Sequence, residues 1–275
     1  MARKKEGLGI DRNGTRAGFV SYDSITEAVI AEASANEWSL PSTENLQKMD
    51  QRIKWMKSLD ADFFDNIEVL YMFDLAPGDE DFSYINWEGR FDFNCLEAGG
   101  TPPVIHGTAG RGMDFSGTSN GYLNTQWRPN ADKKIITNQD VGIYWKQTGG
   151  NPSGSAWGCR TNSSNNFFTS GSTTFVNGGT QGGVGSPEIW GVNRLDAKVN
   201  DGSQYWYFDG VLNNSAVYPS GSLTNIPMAI GARNLNGAIS QYHTRQVKYV
   251  MIGLGSFLAT HQAALSNIFS DTAPE

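Results

Sequence analysis

A chain of 275 residues can bury one large core and carry a small appendage beside it. Its 39% hydrophobic content, 32 Gly and only 18% charged residues mark a globular, turn-rich β protein. The net charge of −7 excludes nonspecific nucleic-acid binding, which rests on neutralising phosphates with Lys and Arg.

Residues 1–21 are basic, Gly-rich and aperiodic, and read as a flexible arm. Arg3, Lys4, Lys5, Arg12 and Arg16 stand against Glu6 and Asp11, a surplus of +3 that leaves −10 for the rest of the chain. Such an arm suits docking on an acidic partner surface, and these five side chains are the candidates for attachment to an assembly. No apolar run follows Arg3-Lys4-Lys5 as a signal peptide requires, and no stretch of about 18 apolar residues suggests a membrane span. The reading is a protein made in a cytoplasm, with no membrane partner.

Residues 22–66 read as a helical hairpin. Asp23 or Ser24 caps a first helix in which Ile25, Ala28, Val29 and Ala33 recur at helical spacing to about Asn36. Pro41 then stops the chain and Ser42 caps a second helix. Leu46, Met49, Ile53, Met56 and Leu59 form its apolar stripe, with Lys48, Asp50 and Arg52 expected on the wet side. The stripe needs cover, from a sandwich or a neighbouring subunit, and either would bury Trp38 and Trp55.

From residue 67 to 275 the pattern is that of a β-sandwich. Ile67 to Phe73 is a buried strand, and Gly78 to Asp81 an acidic loop. Short apolar runs follow at Gly112–Phe115, Gly121–Leu123, Val141–Trp145, Ser155–Cys159, Phe167–Phe168, Thr174–Val176, Glu188–Val192 and Met228–Gly231, divided by Gly, Asn, Ser and Asp. Strands so spaced imply an antiparallel two-sheet sandwich or jelly roll. The clearest hairpin is Gln204 to Leu212, where Asp209-Gly210 supplies the two positive-φ positions of a tight turn. Val247 to Gly253 is a further strand, and Thr260 is placed as the cap of a short C-terminal helix.

Three sets of residues resemble a known family. Gly121-Tyr-Leu-Asn-Thr-Gln-Trp-Arg-Pro129, Tyr207-Phe-Asp-Gly-Val211 and Met228-Ala-Ile-Gly-Ala-Arg-Asn234, with Ile252-Gly-Leu-Gly and Leu258-Ala-Thr-His-Gln262 after them, are similar to the concanavalin A-like (laminin-G-like) jelly rolls. Ile25 to Ala28, Leu40 to Glu44 and Ile67 to Asp74 resemble virion proteins of tailed phages that infect Bacteroidetes-type bacteria. The resemblance implies a surface module for glycan contact or particle decoration. It implies a phage virion structural protein (capsid decoration, head fibre or tail-associated), and with it the expectation of assembly in the host cytoplasm, a homo-oligomer, and binding to other virion proteins through the arm and helices. A free glycan-binding protein and a polysaccharide-cleaving enzyme are the alternatives.

The residues speak against catalysis. Retaining and inverting glycosidases need two carboxylates across the scissile bond, and the Glu-x-Asp-x-Glu pattern of the related glucanases does not occur. His106, His243 and His261 are isolated, Cys95 and Cys159 read as buried thiols, and no Cys/His spacing suggests zinc. No cofactor is expected; a structural calcium ion stays open through Asp74, Asp79, Asp81, Asp114, Asp201 and Asp209, all near turns. Trp145, Trp190 and Trp206 read as core. Trp157, between Gly- and Ser-rich loops, is the candidate exposed platform for a sugar ring, with Asn165 and Asn166 bonding its hydroxyls.

Overall fold

The computed structural model describes residues 21–270 except 106, 108–111, 117–119, 138–139, 149–153, 163–165, 171–172, 177–178, 181–191, 199–202, 209–210, 218–221 and 245. In several strands it describes the backbone alone. The N-terminal arm with Arg3, Lys4, Lys5, Arg12 and Arg16 lies outside the described residues, as do Asn165, Trp190 and the side chains of Asn166 and Trp206.

The chain opens with α1 (Ser24–Ala35) and α2 (Thr43–Leu59), followed by β1 (Ile67–Met72), a one-turn α3 (Glu80–Ser83), β2 (Leu96–Gly99), β3 (Val104–Ile105), β4 (Met113–Asp114) and β5 (Gly121–Asn124). The middle holds β6 (Val141–Thr148), β7 (Trp157–Arg160), β8 (Asn166–Ser170), β9 (Thr173–Val176), β10 (Gly179–Thr180), β11 (Val192–Lys198), β12 (Ser203–Phe208) and β13 (Val211–Val217). Then come β14 (Ala229–Ile230), β15 (Arg233–Leu235), β16 (Ala238–Ser240), β17 (Gln246–Gly253) and α4 (Gly255–Ile268). The acidic stretch at 78–81 is thus not purely a loop, since it runs into α3.

These strands form two antiparallel-rich sheets in a jelly-roll-like sandwich. The first is ordered β13-β12-β11-β6-β17-β4-β3, with β1 and β4 sharing one edge of β17. The second is ordered β10-β9-β8-β7-β14-β5-β2, and the β15–β16 hairpin attaches to β7 through the parallel β15. Phe208 faces Val211 across Asp209-Gly210, as the hairpin reading requires. Alternation along β6 assigns its side chains to two layers. Trp145 turns inward and meets Trp157 of the other sheet edge-on, with ring centroids 5.4 Å apart. Tyr144 turns outward, stacks on Tyr249 and packs with it against Phe269 at the end of α4. Both faces of the first sheet are therefore dry at this point, which explains the near-continuous apolar run of β17.

The two N-terminal helices cover the same outer layer. Asp23 caps α1 by accepting from the Ile25 amide, and Ser42 caps α2 by accepting from Asn45. Leu46, Met49, Ile53 and Met56 are buried, while Trp38 and Trp55 are partly buried against the core. Asp50 and Arg52, expected in water, are 4% and 1% exposed. Asp50 accepts from the Asp23 amide and pairs with Lys54. Arg52 reaches past the stripe to the end of β1, where its two terminal nitrogens donate to the two Asp74 oxygens at 2.8 and 2.6 Å. Helical periodicity shows which side of a helix a residue is on, not whether a carboxylate waits beneath it.

The C-terminal helix begins at Gly255, five residues ahead of Thr260. Its cap comes from far away in the chain: Asp140 accepts from the Ser256 amide at 2.7 Å and from its hydroxyl at 2.6 Å. Thr260 lies inside the helix and donates to the Ser256 carbonyl. Losing such a cap costs about 1 kcal/mol. Asp140→Ala is therefore expected to lower the urea midpoint by that equivalent with an unchanged slope, and an effect below about 0.3 kcal/mol would mean that the cap contributes nothing. Among the described residues no helix is long and apolar enough to cross a membrane.

Candidate functional site

Trp157 is fully buried. Its ring belongs to the inter-sheet layer against Trp145, because β7 is an interior strand between β8 and β14 and residue 157 points inward. It offers no face to a sugar, and this corrects the sequence reading. The two cysteines are buried, and burial pushes both thiols up, far from a reactive thiolate. His243 is buried beside Phe115, and His261 packs against Phe257 with Phe63 beside it. Among the described residues no three His, Cys, Asp or Glu side chains gather as a metal centre. Asp74 is taken up by Arg52, Asp79 accepts from Asn45 and Ala76, and Asp114 accepts from Ser116. His106, Asp201 and Asp209 lie outside the described residues.

Among the described residues, one concave surface with polar and aromatic lining lies elsewhere, at one end of the second sheet. An open groove of about 420 Å³ is lined by Asp92, Phe93, Asn124, Gln126, Arg128, Asp132 and Pro227. Asn124 ends β5 and lies opposite both Leu96 of β2 and Ala229 of β14, so its place is fixed by ladders on each side. Its side-chain oxygen accepts from the Gln126 amide at 3.0 Å and closes a tight turn. Gln126 sits at φ +60, an uncommon conformation for a residue with a side chain, and donates to the Asn94 carbonyl. This holds the Gln126 amide group over the groove. Such non-glycine outliers concentrate at ligand sites.

The opposite wall is a short closed loop. Arg128 donates through Nε and a terminal nitrogen to the two Asp132 oxygens, both at 2.9 Å, and the Arg128 amide adds a third bond to the same carboxylate. These hydrogen bonds hold the Asp132 carboxyl below the usual carboxylate range. Phe93 supplies the apolar surface. The Arg90 guanidinium lies 5.0 Å from its ring centroid, and Phe93 and Pro227 line the groove together.

Behind the groove is a buried anion that anchors it. Strand β1 pairs Ile67 with Gly253 and then Val69 with Ile252, leaving Glu68 as the extra residue of a bulge. A bulge re-aims a side chain. Here it brings a fully buried carboxylate to the amides of Lys134, Ile135 and Ile136, at 2.7 to 3.0 Å, and to Arg90 at 2.8 Å. Arg90 also donates to the Asp132 carbonyl and pairs with Glu88, itself bound to Lys134. One carboxylate thus ties the wall of the groove to the first sheet.

No protein-family model matches the chain, and no curated protein does. Among solved structures it is similar to domain 4 of AbnA, an extracellular arabinanase of Geobacillus stearothermophilus in complex with arabinotriose (14% identity over 73% of this chain and 98% of that one, TM-score 0.44). It is also similar to Trypanosoma rangeli sialidase in complex with 2,3-difluorosialic acid (12%, 81% and 39%, TM-score 0.44) and to the binding domain of botulinum neurotoxin serotype D (10%, 70% and 47%, TM-score 0.39). The matches take in nearly all of the arabinanase domain and less than half of the other two chains, and at these identities the likeness is one of β-sandwich architecture.

Proposed function

We propose that the chain is a non-enzymatic glycan-contact module, and that it is displayed on a phage particle as a capsid-decoration, head-fibre or tail-associated protein. The glycan reading rests on the groove. Two amide side chains held by β5 and its turn, with the Asp92 carboxylate, offer donors and acceptors matched to sugar hydroxyls, beside a small apolar patch from Phe93 and Pro227. The virion part rests on the sequence resemblance of residues 25–28, 40–44 and 67–74, and on a basic arm suited to an acidic partner surface. In this reading the arm attaches the chain to other virion proteins.

One observation favours the enzymatic alternative: Asp92 and Asp132 line the same groove, and glycosidases use carboxylate pairs. Against it, Arg128 keeps Asp132 ionised, the reverse of what a general acid needs at neutral pH. The expected result is saturable binding of oligosaccharides without cleavage, weakened roughly two- to tenfold by Phe93→Ala, as follows from losing an aromatic contact worth about 0.5–1.5 kcal/mol. Calorimetric titration and product chromatography check both halves. Release of reducing ends, abolished by Asp92→Asn, would replace the binding reading with the enzymatic one. A mass-spectrometric census of purified particles tests the virion assignment, which fails if the chain is absent from them.

A further inference from the structure

The charge of the groove decides which glycans fit it, and the inference drawn here rests on the glycan reading above. The described charged residues lining it are the Asp92 and Asp132 carboxylates against the one Arg128 guanidinium, leaving one net negative charge. Arg128 is not available as an anion clamp, because its Nε and one terminal nitrogen are already committed to Asp132 in a two-pronged pair. The next cation, Arg90, is turned away: its nitrogens go to Glu88, to Glu68 and to the Asp132 carbonyl. Lys133 and Lys134 reach Asn130 and Glu88 and do not line the groove.

Recognition of a sugar carboxylate or sulfate normally uses a free guanidinium in bidentate geometry. This groove instead meets an anionic ring with a surplus carboxylate, and like-charge juxtaposition is an effective way to refuse a ligand. Neutral hydroxyls encounter no such penalty. They find Asn124 Nδ2 as a donor and Gln126 Oε1 as an acceptor, the amide atoms that the turn does not use, and Asp92 as an acceptor for a pair of hydroxyls. We infer that the groove selects neutral saccharides and excludes uronic, sialic and sulfated ones, with the Arg128–Asp132 pair acting as the specificity element.

The test uses the full chain on an immobilised panel of neutral hexose and pentose oligosaccharides beside oligogalacturonates, sialyl oligosaccharides and sulfated oligosaccharides, at 20 and 150 mM salt. Binding confined to neutral members supports the inference, as does a further result with Asp132→Asn. Removing that carboxylate frees Arg128, so this variant should acquire at least tenfold tighter binding to oligogalacturonate at low salt. Asp92→Asn reduces the same negative charge without touching the pair and should shift selectivity in the same direction by a smaller factor. If the unmodified chain prefers the anionic members, the selectivity inference is overturned while the glycan reading stands. If a chain with a native melting transition binds no member of the panel, both fall together.

Discussion

Asp74→Asn is expected to destabilise the protein by about 3–5 kcal/mol, because it leaves the Arg52 guanidinium buried without the carboxylate that faces it. The pair is desolvated on both sides, with each side chain 1% exposed, so solvent does not make good the loss. Replacing both partners, as in Arg52→Met with Asp74→Leu, should recover most of that cost, since an apolar pair of similar volume needs no charge compensation. Urea titrations of the parent, Arg52→Met, Asp74→Leu and the double variant supply the coupling energy. A single mutant within about 1 kcal/mol of the parent would show that the pair is incidental.

The same pair makes a pH prediction. Burial by itself would raise the Asp74 carboxyl, but the charge and hydrogen bonds of Arg52, helped by Lys48 and Lys248, outweigh it and bring the group down to about 2. A carboxyl lowered in the folded state contributes stability above its unfolded value near 3.8 and loses it as pH falls through the folded value. The shift corresponds to roughly 2–3 kcal/mol at neutral pH, lost between about pH 4 and pH 2. In Asp74→Asn that segment of the stability profile should flatten.

Glu68→Leu is the second large effect. It takes the shared acceptor from three consecutive backbone amides, each at a cost of about 1–3 kcal/mol where water does not enter, and one partner from Arg90, which keeps Glu88 and the Asp132 carbonyl. A total loss of more than about 3 kcal/mol is expected. Glu68→Gln keeps one acceptor for the amides but turns an amide donor towards Arg90, and should fall between the leucine variant and the parent. Hydrogen exchange locates the damage: the amides of residues 134–136 should lose protection ahead of those in β17. Uniform loss across both would mean that Glu68 supports the whole sheet and not the wall of the groove.

Most of the frame is legible in the sequence because the signals are local. The two helix caps, the Asp-Gly hairpin and the apolar runs of β1 and β17 depend on neighbours a few residues away. What the sequence hides is set by distant partners. Arg52 looks like a surface residue until Asp74 is brought beneath it, and Thr260 passes for the cap of α4 because the true cap, Asp140, is far away in the chain. Trp157 looks exposed because its flanking residues are turn formers, yet strand pairing on both sides makes it central. The groove escapes notice for a related reason: it is assembled from residues 92–93, 124–132 and 227, which no spacing rule joins. The one hint is the density of polar and aromatic residues from Tyr122 to Pro129, where the strand pattern breaks off without a glycine.

The pairing of β1 with β17 has a consequence for biosynthesis. Residues 67–72 are all buried in the finished protein, yet their partners at 249–253 leave the ribosome about 180 residues later. At 5–20 residues per second that is a wait of roughly 10–35 s, during which an apolar strand has no ladder to join. Contacts of such long range close slowly and leave unpaired edges open to other nascent chains. The helices made just before β1 are the earliest cover available to it, so slowing translation should lower the soluble yield of a chain lacking α1 and α2 more than that of the full chain.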